Sequence, residues 1–268
     1  MKRVFSAVVL LAPAFFITRY MSPLAFFALV GVVLGASVLE FCDLAARRGY
    51  QAQKAAVLPA SLVLAYAFLD PRLDVQLVLA MILLLIPLMA LTRRDAMDKK
   101  FGNLIMTLFP IMFLGLLFGY MTGLRMLPGA DGHDLPFLLL FVVAAADTGA
   151  YYGGRSLGRH PLAPRLSPHK TWEGLLVGVA CAVAAAFVAR LWFIYSLRPM
   201  DCVFLGILLA LVGSAGDLVE SSLKRWAGAK DSSGLIPGHG GVLDRVDALL
   251  FAAPVLFYYH QFMGMSAW

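Results

Sequence analysis

The sequence predicts an all-α, polytopic integral membrane protein of about nine transmembrane helices with a cytoplasmic N-terminus, and three observations predict it. Of its 268 residues, 61% are hydrophobic and only 14% charged, whereas a soluble domain carries roughly 45–50% and about 25%. A single soluble core cannot bury that much apolar surface, while a bilayer accepts it. The apolar residues gather into windows near the ~20 residues a helix needs to cross about 30 Å of hydrocarbon. The basic residues then sort by loop, as orientation in a membrane requires.

In chain order the windows are 4–18, 23–41, 55–69, 75–91, 104–121, 135–152, 174–196, 202–219 and 248–264. The first follows Met1-Lys2-Arg3 and resembles a signal peptide, but no small-residue cleavage site leads into a polar domain, so it reads as a span. The window 55–69 is the weakest, bounded by Lys54 and Asp70 and containing Pro59. Seventeen of the 22 basic residues fall in one alternating set of loops, at 2–3, 47–54, 93–100, 155–170 and 224–245. The opposite set holds only Arg19, Arg72, Arg125 and Arg198, and Arg190 lies inside the seventh window. Losing one span would scramble this division.

The net charge of +6 forms no continuous basic stripe, which argues against nucleic acid as a partner. Cys42, Cys181 and Cys202 lie in or beside apolar runs and read as small buried hydrophobes. No Walker loop, nucleophile elbow or HExxH helix is present, and the five histidines lack ligand spacing. Residues 1–134 read as a scaffold of membrane helices with room for a homodimer contact. Residues 135–268 carry two longer cytoplasmic loops, 153–173 and 220–247, and read as the catalytic region.

Three constellations there suit phosphate chemistry. Asp217, Glu220, Ser221 and Lys224 recur at i, i+3, i+4 and i+7, which puts all four on one helical face. The run from Lys230-Asp231 to Asp247 contains Gly234, Gly238, Gly240 and Gly241, with His239 between glycines and Lys224, Arg225 and Arg245 at its flanks. Glycines let backbone N–H groups approach an anion closely. Asp244 and Asp247 follow one helical turn apart and, with Asp217, suit Mg²⁺, which takes few protein oxygens and leaves its other positions to water or phosphate. Asp247 is alternatively placed to orient Arg245. In the third constellation Asp147 lies inside a span, where a carboxylate is costly enough to signal function. Lys170, Thr171 and Glu173 follow across the loop, with a point charge and a hydroxyl for a phosphate. Trp172 reads as an interface anchor.

From Ser221 through Lys224-Arg225, Lys230-Asp231 and His239-Gly240-Gly241-Val242-Leu243-Asp244-Arg245-Val246-Asp247, the sequence resembles the signature of the phosphatidate cytidylyltransferases, the membrane-embedded CDP-diacylglycerol synthases. Residues 147–174 are similar to a second stretch of that family, with His169 where many relatives carry lysine. The resemblance implies reaction of CTP with phosphatidic acid to give CDP-diacylglycerol and pyrophosphate, an early step of phospholipid biosynthesis, with Mg²⁺ alone or beside a second cation. It implies a multi-pass protein of the inner (plasma) membrane with its site on the cytoplasmic side. Asp217, Lys224, Asp244, Arg245 and Lys170 are then expected to carry catalysis. Ser221, Arg225, Lys230, Asp231, His239, Gly240, Gly241, Thr171, Glu173 and Asp147 are expected to bind substrate.

Two rivals stay open on the residues alone. A CTP-dependent kinase of a lipid alcohol such as a polyprenol shares the metal and nucleotide needs but requires a general base for the hydroxyl. An ion-coupled transporter using Asp147, Asp217 and Arg190 as relay groups explains the buried acids but not the basic, glycine-rich loop. Arg47, Arg48 and Lys99 lie in loops without glycine or carboxylate partners and are expected to serve topology alone. The loop asymmetry predicts that a reporter fused after Lys230 is cytoplasmic and one fused after Trp268 faces the opposite side; a 220–247 loop found outside would separate it from cytosolic CTP.

Overall fold

The computed structural model describes residues 16–127, 134–235 and 240–263. Its elements follow the apolar windows closely. After a helical stretch at 16–20, helices α1 (Pro23–Arg47), α2 (Lys54–Tyr66), α3 (Val75–Leu91) and α4 (Met97–Leu124) precede α5 (Leu135–Leu157), α6 (Trp172–Trp192), α7 (Pro199–Trp226) and α8 (Leu243–Met263). Five of these, α1, α4, α5, α6 and α7, are long and apolar enough to cross a membrane. The expected window 4–18 falls almost wholly outside the described residues.

Local chemistry sets several helix ends. Ser22 caps α1, accepting from Ala25 N at 3.3 Å with Pro23 in the first turn, and Asp74 caps α3 through Gln76 N at 2.7 Å. Pro110 interrupts α4, and the ladder widens into a π-helical turn over Ile111–Gly115 before resuming; a proline removes one donor and crowds the preceding turn. Of α3's 17 residues only Ile82 and Ile86 are buried, so Leu83, Leu84, Leu88 and Leu91 present a face that suits hydrocarbon.

One element adds to the helices of the expected all-α fold. The 153–173 loop holds a two-stranded antiparallel hairpin, β1 (Pro161–Ala163) with β2 (Ser167–Thr171), in the register Pro161↔Thr171 and Ala163↔Ser167. Pro161, Pro164 and Pro168 deny this stretch a helix. The same loop is shorter than expected, because α5 runs on to Leu157 and α6 starts at Trp172. Likewise α7 continues to Trp226, so the first part of the 220–247 segment is helical.

The chain divides into two compact units. In the first, residues 21–123 with 226–245, α1 packs on α2 and the π-helical turn of α4 sits against Ser61. Phe41 stacks on Phe109 with ring centroids 5.6 Å apart. Arg48, expected as a topology charge, instead donates from Nε to Trp226 O and lies over the Trp226 ring. The orphan carbonyls of a helix C-terminus attract a cation, which the basic pattern alone did not distinguish from a loop charge.

In the second unit, residues 18–20, 124–225 and 246–268, α5 and α6 form an intimate antiparallel pair. Gly174, Gly178, Ala182 and Ala186 recur every fourth residue on α6. A Cβ at Gly178 would lie 2.7 Å from Ala146 O, and one at Gly174 would lie 2.7 Å from Ala150 O. Small residues at this spacing let two backbones meet, which is how helices gain packing energy in lipid. Gly178→Leu is therefore expected to destabilise the protein by about 1–3 kcal/mol, read as a lowered unfolding temperature in detergent, whereas Leu176→Ala, at a position 68% exposed, should leave it near the wild-type value. Equal temperatures for the two variants would contradict this packing.

Candidate active site

In the second unit the stripe on α7 becomes a cluster of compensated charge. Asp217, Glu220 and Asp247 each offer a carboxylate oxygen, all within 4.8 Å of one another. Asp217 Oδ2 pairs with Lys170 Nζ at 2.6 Å and Oδ1 accepts from Ser221 Oγ at 3.3 Å. Glu220, only 2% exposed, pairs with Lys224 one turn further along. Three acids so close repel one another unless cations intervene, and two lysines supply part of the balance. The donor set fits a divalent cation of the Mg²⁺ type, which takes a few carboxylates and completes its octahedron with water or phosphate oxygens.

The β-hairpin delivers Lys170 to this cluster. Thr171, expected at the substrate, caps α6 by accepting from Gly174 N at 3.1 Å. Glu173 fastens the other end of the hairpin: Oε2 accepts from Arg159 N at 3.1 Å and His160 N at 3.2 Å, and Oε1 meets His160 Nδ1 at 2.5 Å. These two side chains hold the strand that carries Lys170. Arg225 donates from Nε to Leu166 O at 3.3 Å, on the hairpin's turn. Asp147 lies on α5 with an exposed side chain. Arg190, the suggested relay group, donates to Leu197 O at 2.7 Å at the far end of α6.

In the first unit the flanks of the glycine-rich loop close on two carboxylates. The Oδ2 of Asp244, expected as a metal ligand, accepts from Gly241 N at 2.8 Å and Ser232 N at 3.0 Å and lies 2.9 Å from Ser232 Oγ. A carboxylate at a helix N-terminus is drawn to the free N–H groups there. Gly240 adopts φ +78°, a left-handed conformation that favours glycine, and a Cβ there would lie 2.7 Å from Asp244 Oδ2. Gly241 is buried, while Lys230, Asp231 and Arg245 are exposed. His239 lies outside the described residues.

Sequence reasoning missed Glu40. It lies on α1, is 4% exposed and accepts from residues about 200 positions away: Ser233 Oγ at 2.6 Å, Val242 N at 2.8 Å, Leu243 N at 2.9 Å, and Ser232 Oγ at 2.8 Å, whose single proton it shares with Asp244 Oδ2. Its signal was present, since it is an acid inside the expected span 23–41, the property that singled out Asp147.

A family model described as the cytidylyltransferase family matches residues 1–263. A Staphylococcus saprophyticus protein named phosphatidate cytidylyltransferase is 35% identical over 187 residues, covering 70% of this chain and 68% of the relative. Proteins of the same name from Haemophilus influenzae and Brucella suis are 39% identical over 167 residues and 49% over 129. Those matches cover 56% and 48% of this chain, and 58% and 47% of the relatives.

If the three carboxylates bind a divalent cation, Mg²⁺ at about 100 times its Kd should add about 2.7 kcal/mol to the unfolding free energy. The expected readout is an Mg²⁺-dependent rise in unfolding temperature that Asp217→Asn and Asp247→Asn reduce strongly. Full Mg²⁺ stabilisation in both variants would remove these residues from the cation site.

Proposed function

The chain belongs to the cytidylyltransferase family, and from that premise we propose that it joins CTP to phosphatidic acid, yielding CDP-diacylglycerol and pyrophosphate. The observation that carries the reading is the family match over residues 1–263, in a chain whose polar side chains suit that reaction. The nucleophile is the phosphate monoester of the lipid, already anionic, so the protein needs no serine or cysteine nucleophile. A phosphate oxygen of the lipid attacks the α-phosphorus of CTP, a new P–O bond forms, and the bond from the α-phosphorus to the bridging oxygen breaks as pyrophosphate leaves. What remains for the protein is to hold two polyanions together and stabilise charge as it redistributes.

In this reading Asp217, Glu220 and Asp247 hold Mg²⁺, which when bound neutralises charge on the phosphates. Lys170 and Lys224, which pair with Asp217 and Glu220, would supply positive charge to the phosphates beside that site. Ser221 keeps Asp217 oriented through its 3.3 Å hydrogen bond. In the first unit Asp244 shapes the flanks of the glycine-rich loop through Ser232 N and Gly241 N, with Lys230 and Arg245 as exposed cations beside it. Thr171 and Glu173 position Lys170 by fixing the hairpin.

The reading includes nine spans with a cytoplasmic N-terminus, in the inner (plasma) membrane of a bacterial-type cell. The lipid tails then stay in the bilayer while the phosphate meets cytosolic CTP at the interface. Purified protein in detergent with phosphatidic acid, Mg²⁺ and cytosine-labelled CTP is expected to make labelled lipid only when phosphatidic acid is present. Lys224→Ala and Lys170→Ala should each lower the rate about 10²–10³-fold, the cost of removing one charge-stabilising group, while Arg47→Ala stays near wild type. Equal small effects in all three would mean that the lysines serve topology.

A further inference from the structure

The connection between α5 and α6 carries positive charge that its own acids do not cancel. Between Asp147 and Asp201 the chain has a single acid, Glu173, and that carboxylate is taken up by Arg159 N, His160 N and His160 Nδ1. Lys170 is committed to Asp217. Arg155, Arg159 and Arg165 remain, all three exposed, and among the described residues no carboxylate pairs with their guanidinium groups. Other basic loops differ: Arg93 pairs with Asp95, Lys54 with Asp43, and Arg48 donates to Trp226 O.

The hairpin holds these arginines in a fixed array. Glu173 fastens its base, and at its turn Leu166 O accepts from Arg225 Nε on α7 at 3.3 Å. The array also stands at the level of lipid headgroups. Tyr152, Leu157 and Trp172 are exposed at the adjoining ends of the apolar helices α5 and α6, where aromatic side chains mark the membrane interface. Arg155 lies in the last turn of α5 and Arg159 two residues beyond its end. A three-residue strand rises only about 10 Å. Charges at a membrane surface act over a Debye length of about 8 Å, so even Arg165, at the turn, stays near their reach.

We propose that Arg155, Arg159 and Arg165 form a docking surface for anionic phospholipid headgroups of the leaflet that the hairpin faces, including lipids that the enzyme does not convert. Guanidinium groups suit phosphate oxygens, and the absence of a neighbouring acid favours a net-negative headgroup over a zwitterionic one, whose ammonium the array repels. The exposed aromatic and apolar groups beside the arginines favour a lipid over a free nucleotide as the source of the phosphate. The inference goes beyond the cytidylyl-transfer reading and does not require it, because a phosphodiester lipid such as phosphatidylglycerol has no monoester to react.

The test needs no turnover. Full-length protein is reconstituted into phosphatidylcholine vesicles that carry a small fraction of chain-labelled phosphatidylglycerol or chain-labelled phosphatidylcholine. Energy transfer from the protein's tryptophans reads how far each label gathers around it. At low salt the wild-type protein should enrich phosphatidylglycerol over phosphatidylcholine by about fivefold or more, since each cation near an anionic headgroup is worth about that factor. The preference should fall to near one in the Arg155→Gln/Arg159→Gln/Arg165→Gln variant and should stay within about twofold of wild type in Arg94→Gln/Lys99→Gln, whose exposed cations share a loop with Asp95 and Asp98. High salt should weaken it in the wild-type protein, a readout that stands even if the triple variant does not fold. An equal preference in the triple variant, or one insensitive to salt, would overturn the proposal. So would a preference abolished by CTP at constant ionic strength, which would assign the arginines to the nucleotide. Failure of labelled CTP to enter lipid would sink the functional reading and leave this result untouched.

Discussion

An acidic side chain on an apolar helix must be neutralised or hydrogen-bonded where it stands, because neither hydrocarbon nor packed protein replaces the water it gives up. Much of the described polar structure answers that constraint. Asp217 has Lys170 and Ser221, Glu220 has Lys224, and Glu40 and Asp244 have hydroxyl and backbone donors from the glycine-rich segment. The two kinds of compensation have different consequences. A lysine paired with a carboxylate is held by one contact between flexible side chains, a pairing that is weak enough to exchange. A carboxylate caught by four fixed donors stays where it is and serves as an anchor.

On the proposed reading, this difference separates the residues offered to substrate from those that shape the elements carrying them. Lys170 depends on a short hairpin, and that hairpin depends on Thr171 and Glu173 at the start of α6. The start of α6 in turn depends on Gly174 and Gly178, where α5 comes too close for any side chain. A packing interaction of small residues thus supports a charge several ångströms away, and rigid helices hold the carboxylates more firmly than a loop would.

The eight apolar windows from 23–41 to 248–264 correspond to eight helices, because hydrophobic length is a local property of the sequence. The i, i+3, i+4, i+7 stripe on α7 was legible for the same reason. The hairpin at 161–171 was not, since its strands are short and its three prolines read as loop. Asp244 and Asp247 were both legible as carboxylates one turn apart, but the spacing did not show that Asp244 accepts from Gly241 N and Ser232 N at a helix N-terminus. Glu40 joins residues about 200 positions distant, a contact that periodicity and spacing within one segment do not encode. Arg48 looked like one more cytoplasmic charge until the end of α7 appeared beneath it.

Transfer of a nucleotidyl group, the proposed task of these polar groups, requires bond breaking between the α-phosphorus and the pyrophosphate. A kinase acting on a lipid alcohol would use the same lysines and cation but break the bond to the γ-phosphorus. The fate of phosphorus label therefore tests the central claim most directly. With purified protein, Mg²⁺ and phosphatidic acid, CTP labelled at the α-phosphorus should yield labelled lipid, and CTP labelled at the γ-phosphorus should yield labelled pyrophosphate and unlabelled lipid. Lipid labelled from the γ-position and not from the α-position would contradict it.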